Sequence, residues 1–405
     1  MDSTQAPTLV GTAVADLPTP SLLIDLDVLE ANCARMLKGI DSLGDVAFRA
    51  HVKTHKCAPI VRKQLSGRYR SVVASTVAEV EGLVPLVREG VVVDILYSMP
   101  PGPSKLRRLA ALADELAAAG GVLRLMLDHA SQADSLAAVG DTNWSVFLKV
   151  NIGDNRAGLP VDTDAFAELG RRVAATANIQ LYGVYAHAGS SYAAKTEADA
   201  IGYLEREIRG GIDAVDGLRV AGVHSPLLIS VGATPTAQVS VRSSDRVRAL
   251  LDAARAVAAV EVHAGNYGLL DLQQVATGLV STADVAGSVL AEVVSTYDER
   301  EEVLVDAGVL GLSREAGPIP GLGTVVGQPV TGPRWAVVRV SQEHGILGYV
   351  DENGQRVAGG RHAWKVGDKV RIWPQHACIT CALHPRLFAV RGGAVADVYV
   401  PWRGW

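Results

Sequence analysis

Apolar residues in this chain fall into short runs punctuated by Gly, Pro, Asn and Asp. Eight of those runs have the texture of strands: 46–52, 71–75, 91–97, 122–127, 145–150, 180–186, 226–231 and 259–264. Stretches between them, such as 103–118, 163–177 and 193–213, repeat apolar residues at three and four, the spacing of a helix with one buried face. Strands alternating with helices in that number predict an α/β fold, a (β/α)8 barrel of the TIM type over residues 20–284. After 285 the texture changes to short β-like runs at 289–294, 302–305, 336–341, 369–373 and 394–400, separated by turn residues such as Asp351-Glu-Asn-Gly354. This predicts a C-terminal, mainly β domain over 285–405, with segment 1–19 joined to it.

Two of the strand-like runs end in the same kind of loop. Leu227-Leu-Ile-Ser-Val-Gly-Ala-Thr-Pro235 closes the seventh, and Val260-Glu-Val-His-Ala-Gly-Asn-Tyr-Gly268 closes the eighth. Either loop alone reads as a tight turn between strand and helix. Small residues at consecutive strand ends leave backbone N–H groups to surround an anion, and barrels of this type often bind phosphate after strands seven and eight. Upstream, Arg49-Ala-His-Val-Lys-Thr-His-Lys56 places a lysine where an apolar run ends. On a strand, Arg49, His51 and Lys53 share one face and Phe48, Ala50 and Val52 the other, so three basic groups are expected to point into the barrel. A lysine among cations is biased toward its neutral, nucleophilic form. Lys56, in the turn beyond, is the second candidate. A phosphate cradle facing a lysine is what pyridoxal phosphate requires.

Composition narrows the setting. The 405 residues, 48% of them hydrophobic, suffice for two cores, and a formal charge of −5 without a long basic run argues against nucleic acid or an anionic membrane as partner. No apolar run approaches the ~20 residues of a membrane-spanning helix. The first eight residues lack the charged and apolar regions of a signal peptide. Four cysteines (Cys33, Cys57, Cys378, Cys381) are too few for a disulfide scaffold. A cytoplasmic protein acting on a small molecule is expected.

Several motifs together resemble a known family: Leu17-Pro-Thr-Pro-Ser-Leu-Leu-Ile-Asp-Leu-Asp27, His51-Val-Lys-Thr-His-Lys56, Phe147-Leu-Lys-Val-Asn-Ile-Gly-Asp-Asn-Arg-Ala-Gly158, Tyr185-Ala-His-Ala-Gly-Ser-Ser-Tyr192 and Ser230-Val-Gly-Ala-Thr-Pro-Thr236. His263-Ala-Gly-Asn-Tyr267, Ser341-Gln-Glu-His-Gly345 and His376-Ala-Cys378 complete the set. They look like D-threonine aldolase and metal-dependent D-serine dehydratase, pyridoxal phosphate enzymes of the alanine racemase fold, and run in order across nearly the whole chain. The resemblance implies that Lys53 is the Schiff-base lysine, with His51 among the cofactor contacts. It places the phosphate on Gly232, Ala233 and Thr234 and on Gly265, Asn266 and Tyr267. Arg156 is implied beside the cofactor ring, and Tyr185 near the pyridine nitrogen, where a phenol leaves a weaker electron sink than a carboxylate.

His376 and Cys378, read as two positions on one face of a strand, can grip one ion between imidazole and thiolate, with water and substrate oxygens completing the shell. The thiolate favours zinc, with manganese or magnesium as alternatives. His344 reads as a surface loop histidine that can also serve as acid or base. The resemblance implies a lyase for D-β-hydroxy-α-amino acids. A His-x-Cys pair looks more like the dehydratases, of the D-serine, D-threonine or 3-hydroxyaspartate type, which release ammonia and a 2-oxo acid. An aldolase yielding glycine and an aldehyde is the alternative, and an amino-acid racemase a more distant one. Relatives of this kind look like homodimers. The chain departs from the family pattern at Asn151, Ser190, Gly268-Leu269 and Ala382, which leaves the substrate side chain open.

Overall fold

The eight strand-like runs close on one another. A computed structural model describes residues 9–405 apart from 141, 243, 362 and 363. After a first strand, β1 (Ser21–Asp25), come β2 (Val46–His51), β3 (Ser71–Ala74), β4 (Asp94–Tyr97), β5 (Val122–Leu127), β6 (Trp144–Lys149), β7 (Ile179–Ala186), β8 (Leu228–Val231) and β9 (Ala259–Ala264). Strands β2 to β9 form a closed, parallel barrel in chain order, sealed where β2 pairs with β9 at Arg49 and His263.

The intervening helices follow from their caps and apolar stripes. In Asp164–Ala175, Thr163 accepts the Phe166 N–H, and Phe166, Leu169, Gly170 and Val173 face inward at spacings of three, one and three. The longest helix, Glu197–Val220, starts and ends later than the expected 193–213. A capping box between Thr196 and Asp199 fixes its start, and Gly211 is not a stop because its bare Cα lets Ile229 of β8 pack closely.

Inside the barrel, alternation sends Val73, Leu96, Met126, Phe147, Tyr185 and Leu228 into one apolar cluster. Arg49 points inward too, but its charge is absorbed there: Nη1 lies 2.6 Å from Asp94 Oδ1 and Nε 2.8 Å from Glu261 Oε1. Burial opposes its ionisation, yet the two carboxylates hold the guanidinium firmly charged. The expected trio of inward basic groups at the barrel mouth is thus reduced to His51, whose imidazole burial and Lys53 hold well below its ordinary value, and Lys53.

The second unit is built on a nine-stranded sheet. It adds β10 (Gly287–Tyr297), β11 (Glu302–Val305), β12 (Gly323–Val325), β13 (Arg334–Val340), β14 (Gly345–Val350), β15 (Lys369–Pro374), β16 (Leu387–Arg391) and β17 (Ala394–Tyr399), in the order β11-β14-β13-β12-β15-β10-β1-β16-β17. Strand β1, antiparallel to β10 and parallel to β16, sets the domain division apart from 20–284 and 285–405. The barrel unit is 33–267 with 402–405; the β unit runs through residue 32 and resumes at 268–401. Asn32 fixes that edge by donating from Nδ2 to the Gly268 and Asp284 carbonyls. Of segment 1–19, residues 1–8 lie outside the described residues, while the Gly11 and Val14 N–H groups donate to Val395 and Gly393. Among the described residues, no helix is long and apolar enough to cross a membrane.

Candidate active site

At the C-terminal ends of the barrel strands lies a cavity of 380 Å³. Of the residues singled out from the sequence, His51, Lys53, Arg156, Tyr185, Gly232, Ala233, Thr234, Gly265 and Asn266 all border it. Tyr267 does not. Its ring is fully buried, edge-on to Phe48, with its hydroxyl donating to the Gln64 carbonyl at 3.2 Å, so only its main chain is left to act at the loop. Lys53 stands just beyond β2, and Lys56 is occupied by an ion pair with Glu79 at 3.1 Å.

The two glycine loops are one structure. The Asn266 N–H donates to Thr234 Oγ1 at 3.2 Å. Gly232, at φ +149°, lies so close to the next strand that a Cβ would stand 2.0 Å from the His263 carbonyl oxygen. The loop carrying Arg156 is held by Asn151, whose Oδ1 accepts the Gly153 and Asn155 N–H groups, and by Asp154, which accepts from the Ser190 N–H and hydroxyl. Two of the departures from the family pattern thus brace this loop.

Several wall residues were not foreseen. Lys149 at the end of β6 is buried, and burial followed by Arg156 pushes its amine down to about 8. His187 donates from Nδ1 to the Gly232 carbonyl at 2.6 Å; burial and the charges of Lys149, Arg156 and Lys53 hold it down at about 3, hence neutral. His263 stacks on Tyr185 with centroids 3.9 Å apart and planes 11° from parallel. Behind the wall, Glu207 accepts the Ala188 N–H at 2.6 Å, and burial pushes its carboxyl up to about 8. The period-two rule that placed Arg49, His51 and Lys53 on one face also places Tyr185 with His187 and Glu261 with His263; applied to every strand, it would have found both histidines.

Among the described residues, the basic side chains of Lys53, Lys149 and Arg156 border the cavity and no carboxylate does. That balance, the joined glycine loops and a lysine at a strand end fit a dianionic phosphate and a second anionic group.

In the β unit, the expected strand geometry of His376 and Cys378 is not what forms. Strand β15 stops at Pro374, His376 caps the helix Ala377–Leu383, and Cys378 lies in its first turn. The two side chains still meet: burial disfavours a charged imidazole, but the Cys378 sulfur, Asp271 and Glu315 raise His376 to about 10. Nδ1 is 2.7 Å from Glu315 Oε1, which leaves Nε2 for a metal, the carboxylate–histidine arrangement that orients such ligands. Asp271 anchors the turn by accepting the Ala377 N–H at 2.8 Å. Among the described residues no group of three His, Cys, Asp or Glu is placed to hold an ion. His344 is exposed at the turn joining β13 and β14.

Comparison with known proteins agrees with this division. The family model "Alanine racemase, N-terminal domain" matches residues 24–255, and "Putative serine dehydratase domain" matches 286–390. The chain is 38% identical to D-serine dehydratase of Schizosaccharomyces pombe, over 98% of this chain and 94% of that one. The structure of D-threo-3-hydroxyaspartate dehydratase from Delftia sp. HT23 superposes with a TM-score of 0.82 at 31% identity, covering 97% of this chain and all of the other. D-threonine aldolase of Arthrobacter is 28% identical over 97% of this chain and 94% of its own. The chain belongs to the alanine racemase-fold family of D-serine dehydratases and D-threonine aldolases.

Proposed function

We propose that the protein is a pyridoxal phosphate- and zinc-dependent dehydratase of D-β-hydroxy-α-amino acids, D-serine first among them, releasing ammonia and a 2-oxo acid. The observation that carries this reading is the cavity that gathers Lys53, two joined glycine loops and Arg156 at the barrel mouth without a carboxylate. The order of identities, 38% for a D-serine dehydratase against 28% for an aldolase, favours loss of water over carbon–carbon cleavage. A cysteine-to-alanine variant of a D-threo-3-hydroxyaspartate dehydratase, solved in a metal-free form, supports metal use by a protein of this kind.

Pyridoxal phosphate, when bound, supplies the electron sink that makes an α-proton labile. Zinc on His376 and Cys378 would supply a Lewis acid for a hydroxyl leaving group. The chain's own groups do the rest. Lys53 would hold the cofactor through Nζ, and as a free amine it would serve as the base for the substrate α-proton. Arg156 fixes the substrate carboxylate, and Gly232 to Thr234 with Gly265 and Asn266 hold the phosphate. His187, neutral and fixed by Gly232, can exchange a proton at Nε2. The homodimer implied by the resemblance is part of this reading.

Incubation with D-serine, followed by assay of pyruvate and ammonia, tests it. The reading requires both products, none from L-serine, and loss of turnover on chelation. Glycine with formaldehyde would replace it with the aldolase.

A further inference from the structure

The turn that carries Lys53 is held by a distant part of the chain. Residues 402–405 follow β17 yet belong to the barrel unit, and the Trp402 N–H donates to the Lys56 carbonyl at 2.6 Å. Lys56 in turn closes the segment around Lys53. Its N–H and that of His55 donate to the Val52 carbonyl at 2.8 and 3.3 Å, and the Lys53 N–H donates to His51 Nδ1 at 3.3 Å. Lys56 has φ +49°, a left-handed conformation that residues with a Cβ rarely adopt and that persists where the surroundings over-determine it. Three contacts do so here: Val52 on its N–H, Trp402 on its carbonyl and Glu79 on its amine at 3.1 Å. Glu79 carries the connection to the cavity. Its buried carboxylate also accepts the Ser75 N–H at 2.7 Å, and Ser75 borders the cavity with its hydroxyl 3.4 Å from His51 Nε2.

Trp402 has a seat made for it. Gly82 lies inside the helix Val77–Arg88, and a Cβ there would stand 2.2 Å from Trp402 Cδ2, so the indole rests directly on the helix backbone. Glycine in a helix interior is otherwise inferior to alanine, which ties its presence here to this close approach. Farther along, Arg108 of the helix Leu106–Ala118, itself bound to Glu81, donates from Nη1 to the Trp405 carbonyl at 3.1 Å. The Trp405 ring is exposed, so burial of that ring is not what seats the segment. We propose that Trp402 is a positioning residue for Lys53: seated on Gly82, it holds the Lys56 carbonyl and thereby fixes the turn from which the Lys53 amine reaches the cavity. This role presupposes Lys53 as the cofactor lysine, the reading proposed for the site. An amine that must both hold a cofactor and act as base at one carbon depends on placement, where a shift of about 1 Å is costly in rate.

The test compares Gly82→Ala, Trp402→Ala and Trp402→Phe with the unmutated full-length protein. Alanine at 82 improves helix propensity, so a loss in that variant comes from eviction of the indole. Hydrogen exchange of the cofactor-free proteins, followed by mass spectrometry, is expected to be about fivefold or more faster over 53–57 in Gly82→Ala and Trp402→Ala, unchanged over 123–127 of β5, and near the unmutated rate throughout in Trp402→Phe. The rate at which added pyridoxal phosphate becomes fixed to Lys53 by borohydride is expected to fall about fivefold or more in the first two variants and to be restored in the third. Exchange that is unchanged over 53–57, or faster by the same factor over 53–57 and 123–127, would overturn the inference and leave residues 402–405 a general support of the barrel. Faster exchange over 53–57 with an unchanged rate of fixation would also overturn it, because the turn would then not place the amine. If the unmutated protein fixes no pyridoxal phosphate at Lys53, the functional reading falls and takes the positioning role with it, a failure distinct from the other two.

Discussion

Glu207→Gln gives a stability effect whose sign depends on pH. Glu207 is fully buried in the helix Glu197–Val220 and accepts the Ala188 N–H, which anchors the loop carrying His187. Desolvation is the largest influence on its carboxyl; the Ala188 N–H, Thr236, Lys149 and Arg206 offset only part of it, and the proton is held up to about 8 against an ordinary 4.5. The unfolded chain releases that proton near 4.5 and the folded chain near 8, so stability present at low pH is lost as pH rises through that window. The full displacement corresponds to roughly 4–5 kcal/mol by pH 8. Glutamine has the shape of the protonated acid and keeps an oxygen for Ala188, without the titration. Urea denaturation of the two cofactor-free proteins is expected to give similar midpoints at pH 5 and a more stable Glu207→Gln at pH 8, the gap widening by several kcal/mol. A gap that stays constant across the window would refute the reasoning, because it would mean that the folded carboxyl releases its proton at its ordinary pH.

Arg49→Met should lower barrel stability by roughly 3–5 kcal/mol in the same assay because Glu261 is left buried without its cation while Asp94 keeps only Arg124, whereas Arg88→Met, at an exposed pair with Glu115, should cost about 0–1 kcal/mol. In Gly232→Ala the new methyl meets the His263 carbonyl, so absorbance titration should show cofactor affinity reduced at least tenfold. Cys378→Ser and His376→Ala should each lose bound zinc by elemental analysis while retaining the absorbance of pyridoxal phosphate, since the residues proposed to hold the cofactor all belong to the barrel unit.

Much of this architecture is legible in the chain itself. The barrel strands are runs of Val, Ile, Leu and Ala bounded by turn residues, and each of the eight expected runs overlaps an observed strand. What escaped the reading is short or non-local. Strand β1 is five residues long and takes its partners from β10 and β16, hundreds of residues away, so its local pattern could not assign it to the second unit. Strand β14 begins at Gly345 and contains Gly348, and glycine is weak evidence for a strand. The metal-type pair was seen as a spacing, but the helix start that brings His376 to Cys378 depends on Asp271, about a hundred residues upstream. Arg49 was read as a free cation because its two neutralising carboxylates lie on other strands. His187 and His263 stood inside quoted motifs, yet their hydrogen bonds run to Gly232 and Ser230 on another strand and its loop.

The most direct test is to load the protein with pyridoxal phosphate, reduce it with borohydride, digest it and locate the added mass by tandem mass spectrometry. The account predicts a single modified residue, Lys53, in a protein that also converts D-serine to pyruvate. Modification at Lys149, a buried amine that also borders the cavity, or at Lys56 would contradict the assignment of the site from which the proposed chemistry is derived.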